Sequence, residues 1–260
     1  MKPEETGATK RNVLGAIWTL IRTDFMVRYH GTIMGFMWAL LRPIAMLIVL
    51  FSVFSFLFGT TKEYAINLVI GLFLYDYFQE ATKWGLISLH NKGFLLKKSN
   101  FPRWILVLTP TVNPLITLLI AGIGINICLL ATGHSISPLR FLLFFFYVAH
   151  LVLMVCGFSL AASVCFVRYR DLNQVWEVVA QAGFFVAPVI FPLKIIPEQY
   201  HIYLYFWPPT SVIEFSRSVL TGEVLPTLKG QLLLSAMTVV CLFFGIFVYR
   251  LLVKRAAEYL

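Results

Sequence analysis

Charge is what this sequence has least of: Asp, Glu, Lys and Arg make up only 13% of its 260 residues, whereas 59% are hydrophobic. Soluble domains carry about 25% charged residues, so the balance excludes a water-soluble domain and indicates a membrane protein. Cysteine is also sparse. Cys128, Cys156, Cys165 and Cys241 all fall in apolar stretches, which leaves no disulfide framework or zinc-ligand spacing and reads as small packing residues. No G-x-x-x-x-G-K-[ST] phosphate loop occurs, so the chain does not bind ATP in that way. His30, His90, His134, His150 and His201 are scattered without H-E-x-x-H spacing, which argues against metal chemistry. The lack of a paired-carboxylate motif or a G-x-S-x-G elbow weakens an intramembrane hydrolase or transferase. Met1-Lys2-Pro3-Glu4-Glu5 is charged with no apolar core within reach, so no cleavable signal peptide is expected.

What is present is a series of long apolar runs. Stretches without Asp, Glu, Lys or Arg extend over Pro43–Thr61, Trp104–Leu139, Phe141–Val167, Val178–Leu193 and Gly230–Tyr249. A bilayer span needs about 20 apolar residues, and most of these meet that length outright. The run from Trp104 is too long for one span, but Gly133-His134-Ser135-Ile136-Ser137-Pro138 ends one helix before the next begins. Tyr64–His90 forms a further span despite Asp76, Glu80 and Lys83. The expectation is an all-α integral membrane protein with six transmembrane helices in a single domain, residues 1–260.

Basic residues set the orientation. With a cytoplasmic N-terminus, 15 of the 21 Lys and Arg fall on inner segments, so both termini are expected in the cytoplasm. The net charge of +9 is then explained by topology and anionic lipid, and no nucleic-acid partner is needed.

Three segments outside the spans stand out. In residues 10–29, Leu14, Ile17, Trp18, Ile21 and Phe25 share one helical face while Arg11, Thr19 and Arg22 share the other, predicting an amphipathic interface helix. It is either a simple anchor or, through its short link to the first span, an element that moves with that span. Residues 91–100 interleave Phe94, Leu95 and Leu96 with Lys92, Lys97 and Lys98, which predicts a short docking helix rather than a solvated loop. Residues 194–229 are aromatic and aliphatic between Pro197, Pro208, Pro209 and Pro226, and read as short re-entrant helices in the outer leaflet between spans five and six. Irregular backbone at membrane depth persists only where protein or water satisfies it.

Polar residues inside spans point to a path, because charge at mid-bilayer costs about 2.5–3.5 kcal/mol on insertion scales. Asp76, Glu80 and Lys83 share one face of span two. Local pairing of Glu80 with Lys83 and a pathway role are both open readings. Asn173, Glu177 and Gln181 share a face of span five that continues into Phe184 and Pro188 without a nearby cation to absorb Glu177, the stronger pathway signal. The 24 Phe, 11 Tyr and 6 Trp are mostly packing and interfacial belts, yet flat rings also suit the apolar faces of sugars.

Four motifs carry a family resemblance. RYHGTIMGFMWALLRP (28–43) resembles the R-Y-[RK]-x-[ST]-x-[LM]-G-x-x-W-x-x-x-x-P entrance of ABC-2 type permeases, most closely the branch exporting lipid-linked polysaccharides such as O-antigen, capsule and teichoic acid. GLFLYDYFQEATKWGLISLHNKGFLLKKSNFPRWILVL (71–108) resembles that branch's second span and coupling helix. RYRDLNQVWEVVAQAGFFVAPVIFP (168–192) is similar to its inner loop and fifth span, and FWPPTSVIEFSRSVLTG (206–222) to its outer segment. His30 and Trp207-Pro208-Pro209 depart from the usual pattern.

The resemblance implies a homodimer in the bacterial inner membrane with two separate ATP-binding-cassette ATPase subunits beneath, which hold the ATP and Mg, and no cofactor in this chain. It implies a channel for an undecaprenyl-pyrophosphate-linked glycan lined by Trp38, Asn173, Glu177, Gln181, Phe184 and Phe185. Arg28 and Arg42 would meet lipid phosphate, though plain headgroup anchoring is an equal reading for Arg42. Gly31 and Gly35 would allow close helix packing. Asn91, Lys92, Phe94, Leu95, Lys97, Lys98 and Ser99 would couple to the ATPase. An ABC-2 exporter of a drug or small lipid is the near alternative, and an integral membrane enzyme acting on polyprenyl phosphates the distant one.

Overall fold

The structure, a computed structural model, describes residues 4–58, 61–93, 102–131, 137–222 and 224–256. Among them are nine α-helices and no strand: α1 (Glu4–Tyr29), α2 (Met37–Phe58), α3 (Lys62–Asn91), α4 (Arg103–Ala131), α5 (Pro138–Arg168), α6 (Leu172–Val186), α7 (Glu198–Tyr205), α8 (Pro208–Leu220) and α9 (Leu228–Ala256). A single 3-10 turn, Leu193–Ile195, precedes α7. Residues 94–101 lie outside the described residues, and with them Phe94, Leu95, Lys97, Lys98 and Ser99 of the expected coupling segment.

Among the described residues, four stretches are long and apolar enough to cross a membrane: Met37–Phe58, Arg103–Asn126, Pro138–Arg168 and Leu228–Ala256. α3 is as long as these, but it carries Asp76, Glu80 and Lys83 and is largely enclosed, with Leu68, Ala81 and Leu86 fully buried. It packs against α2, α4, α5, α6 and α8. The polar helix takes the centre because lipid offers its charges no partners. Its Leu68, Leu72 and Leu74 join Tyr147, Leu151 and Val155 of α5 and Val212 and Ile213 of α8 in the main core. A smaller cluster of Leu89, Val107, Val164, Val167, Tyr249 and Ala256 closes the opposite end. Arg103 there donates through Nη1 to the Val253 carbonyl at 3.3 Å.

Span five, with its apolar run Val178–Leu193, departs from the expectation. Its helix begins at Leu172 and stops at Val186, not at Leu193. Pro188 has no N–H and drives Ala187 to extended backbone (φ −66°, ψ 142°). Fifteen residues rise about 22 Å, short of the roughly 30 Å of a hydrocarbon core. The non-helical backbone that follows is satisfied by Arg217 of α8, itself 6% exposed. Its guanidinium donates to the Pro188 carbonyl, to the Val189 carbonyl at 2.8 Å and to the Asn67 carbonyl at 2.9 Å, and it pairs with Glu214 at 3.0 Å. α7 and α8 occupy the positions expected for the short helices of 194–229.

A second departure concerns Gly31 and Gly35. They sit in the turn between α1 and α2 with φ of +76° and +51°, and an added Cβ at either meets nothing within 4 Å. Within this chain they serve the turn, where only glycine adopts such angles freely, rather than a helix contact. Close helix approach occurs instead where α5 crosses α9. A Cβ at Gly157 would lie 2.7 Å from the Cys241 carbonyl oxygen, and one at Gly245 would run into the Gly157 backbone. Gly245→Val is expected to cost about 1–3 kcal/mol through forced separation of these helices, read as a lowered Tm of the detergent-purified protein; an unchanged Tm would contradict the close crossing.

Candidate functional site

Three cavities follow one another along α2, α3 and α6. The first, about 270 Å³, is charged: Arg42, Asp76, Glu80, Lys83 and Glu177 line it with Gln79 and Gln181. The second, about 500 Å³, shares Arg42, Asp76, Gln79 and Gln181 with it and turns apolar toward Val49, Leu72, Tyr75, Phe184 and Phe185. The third, about 440 Å³, lies beyond, between Phe58 of α2, Tyr64 and Asn67 of α3, the backbone after α6, and Glu214 and Arg217 of α8. From Lys83 to Thr61 the α3 axis advances about 33 Å. That matches a hydrocarbon core of roughly 30 Å, so the furrow runs the depth of a bilayer.

α3 supplies the polar floor of this furrow. The i, i+4, i+7 spacing seen in the sequence does place Asp76, Glu80 and Lys83 along it, but Glu80 and Lys83 do not pair locally. Glu80 accepts from Arg28 of α1 at 2.9 Å, with side chains 9% (Arg28) and 24% (Glu80) exposed, and the Arg28 guanidinium lies 4.5 Å above the Trp84 ring. Lys83 pairs with Glu177 of α6, so Glu177 does have a cation to absorb it; that cation is remote in sequence and close in space. Both side chains of this pair remain 40–45% exposed. An exposed pair contributes at most about 1 kcal/mol, whereas stripping one partner from a buried pair costs about 3 kcal/mol or more. Arg28–Glu80 is therefore the structural link and Lys83–Glu177 the openable one.

α6 is stitched to α3 by two further hydrogen bonds. Tyr75 Oη donates to the Ala180 carbonyl at 2.5 Å, and Trp176 Nε1 donates to Thr82 Oγ1 at 3.0 Å. Phe184 meets Tyr75 edge-on at 5.3 Å, and Gly183 is small because the Trp207 indole occupies the space of a Cβ.

The residues singled out from sequence divide. Glu177, Gln181, Phe184, Phe185 and Arg42 come together in the furrow. Trp38, half-exposed at the start of α2, and Asn173, at the start of α6, line none of these cavities. Arg28 turns inward to Glu80 rather than toward the interface. Asn91 is exposed at the end of α3, whereas Lys92 is buried, donating to Asp24 of α1 at 2.6 Å and to Thr109 of α4 at 2.9 Å. Burial pulls the Lys92 ammonium below the usual lysine value, and Asp24 acts in the opposite direction. Tyr75, Gln79 and Arg217 were not anticipated. Gln79 stands three residues after Asp76 and four before Lys83, a spacing that already put it on the same face; nothing in the sequence marked Tyr75.

A helical membrane bundle with a polar-floored furrow of bilayer depth defines an integral membrane permease. The chain belongs to the ABC-2 type transporter family, which matches residues 15–221. It is 23% identical over 223 residues to the polysialic acid transport protein KpsM of Escherichia coli, covering 84% of this chain and 85% of that one. It is likewise 23% identical over 220 residues to the O-antigen export system permease protein RfbA of Klebsiella pneumoniae, 78% of each chain, and 23% over 235 residues to RfbA of Myxococcus xanthus, 88% of each.

Glu80→Gln is expected to destabilise by about 3 kcal/mol, because it strands the Arg28 charge, and the double substitution Arg28→Gln/Glu80→Gln to recover part of that loss. Lys83→Met/Glu177→Gln should leave stability within about 1 kcal/mol. Thermal unfolding of the three purified variants checks the contrast, and equal losses would contradict it.

Proposed function

We propose that this chain is the membrane-spanning subunit of an ATP-driven exporter of a lipid-linked polysaccharide. The observation that carries the reading is the furrow of bilayer depth, charged at one end and aromatic in its middle. Relatives named for polysialic acid transport and O-antigen export support the cargo class. Arg42 and Lys83 at the charged end suit the pyrophosphate of a polyprenyl carrier. Tyr75, Phe184 and Phe185 give sugar rings flat surfaces without deep polar wells, so a chain is gripped and still slides.

In this reading α2, α3, α4, α5, α6 and α9 are the six membrane elements, α7 and α8 dip into the outer leaflet, and the end bearing α1 faces the cytoplasm of a bacterial inner membrane. The basic residues Lys92, Arg103, Arg168, Lys254 and Arg255 gather at that end, in keeping with the positive-inside bias. Two copies place their furrows face to face, and two ATPase subunits bind beneath, at residues 91–100 and α1. A shift between closed and open furrows requires a difference in free energy between the states, which ATP binding to the partners supplies. The Lys83–Glu177 pair closes the inner end at rest and separates when α6 moves.

A second reading, export of a small lipid, is favoured by the apolar walls of the middle cavity. A deletion strain separates the two: polysaccharide accumulating in the cytoplasm supports glycan export, and an unaltered cell surface supports the lipid. Lys97→Glu/Lys98→Glu is expected to reduce co-purification of the ATPase and export together, at least about tenfold if the cluster contributes one charged contact of about 1.4 kcal/mol; wild-type levels of both would remove that segment from the coupling role.

A further inference from the structure

A fourth cavity lies outside the furrow, between α1, the end of α3 and the proline-bearing part of α4. Its volume is about 310 Å³. Thr23, Val27 and Asn91 stand exposed at its rim, and Ser88, Lys92 and Asn113 are buried at its back. Asn113 is the anomaly. It is 1% exposed, and neither its Oδ1 nor its Nδ2 has a hydrogen-bond partner among the described residues. Buried carboxamides are ordinarily satisfied, and an orphaned donor or acceptor is costly.

The neighbours do not relieve it. The Ser88 hydroxyl donates to the Gly85 carbonyl at 2.6 Å. Lys92 spends two of its three donors on Asp24 and Thr109. The remaining wall presents mostly apolar surface from Leu20, Pro110 and the Trp84 ring, and its charged members, Arg28 and Asp24, are paired with Glu80 and Lys92. Water alone fits poorly, because about ten molecules would fill this volume and most would face surfaces without hydrogen-bonding groups. A ligand that satisfies the site has acceptors for Asn113 Nδ2 and Lys92, a donor for Asn113 Oδ1, and an apolar part. Toward the rim, α1 continues the apolar surface with Met26, 47% exposed, and Val27, 75% exposed.

We propose that this cavity holds the phosphodiester headgroup of one membrane glycerophospholipid, wedged between α1 and the α3–α4 pair. Asn113 Nδ2 and the third Lys92 proton donate to phosphate or ester oxygens. Asn113 Oδ1 accepts from the headgroup's ammonium or hydroxyl, and the acyl chains run out over Val27 and Met26. The lipid thus becomes part of the joint that seats α1, beside the Asp24–Lys92 pair. The assignment does not depend on what the furrow carries.

The test uses the full chain extracted in mild detergent, with native mass spectrometry after a delipidating wash. Wild-type protein is expected to keep one phospholipid per chain, and Asn113→Leu to keep about tenfold less, the equivalent of two lost hydrogen bonds. Thr23→Trp blocks the rim without touching the buried polar groups and is expected to displace the lipid as well, so the proposal stays testable if the Asn113 variant misfolds. Adding phosphatidylethanolamine or phosphatidylglycerol vesicles to stripped protein should raise Tm in the wild type and not in Asn113→Leu. Either lipid acting supports the assignment, and the difference between them identifies the headgroup. Equal lipid retention by all three proteins, or the same rise in Tm with inorganic phosphate alone, would overturn it.

Discussion

Three charges on one long helix of a membrane bundle organise this molecule. Asp76, Glu80 and Lys83 are too costly to face lipid, so α3 is driven to the middle and apolar helices surround it. α2 and α9 are the least enclosed of the four candidate spans. The same charges draw in their partners: Arg28 brings the end of α1 against α3, and Lys83 meets Glu177 of α6, whose register is held by the Tyr75 and Trp176 hydrogen bonds. A furrow with a polar floor is then the geometric result of a charged central helix whose neighbours on one side are a peripheral helix and a short one.

The short helix creates a second demand. Where Pro188 ends α6, several carbonyls lose their helical donors, and a single guanidinium replaces them. Arg217 gathers oxygens from Asn67, Pro188 and Val189, so the start of α3, the break after α6 and α8 meet at one cation. Arginine suits this post because its planar fork offers five donors in fixed directions and stays charged when buried. A lysine there would reach fewer oxygens and suffer more from desolvation.

Much of this was legible in the sequence, and the limits have physical causes. Charge-free runs locate the long helices because burial in lipid depends on composition. The shared face of Asp76, Glu80 and Lys83 follows from helical spacing alone. Their partners do not, since Arg28 is 52 residues from Glu80 and only tertiary packing brings them together. Absence of charge extended the run of span five to Leu193 because it is blind to the missing N–H of Pro188. The spacing of Gly31 and Gly35 reads the same in a helix as in a turn, and only the sign of φ separates the two. In α1 the indole of Trp18 is 68% exposed, while Asp24 and Arg28 make the contacts with α3 and its C-cap. The bundle thus grips α1 by Ile17, Leu20, Ile21 and Phe25 together with Asp24 and Arg28, and leaves Trp18, Thr19 and Arg22 facing outward.

The turn at Gly31 and Gly35 has a mechanical consequence. On one side of it α1 is pinned by two enclosed ion pairs; on the other α2 has few neighbours within the chain. Backbone that already tolerates left-handed angles deforms cheaply, so this stretch acts as a swivel between a fixed post and a swinging door. The tilt of α2 therefore sets one wall of the furrow, independently of the pair that holds α6 on the other.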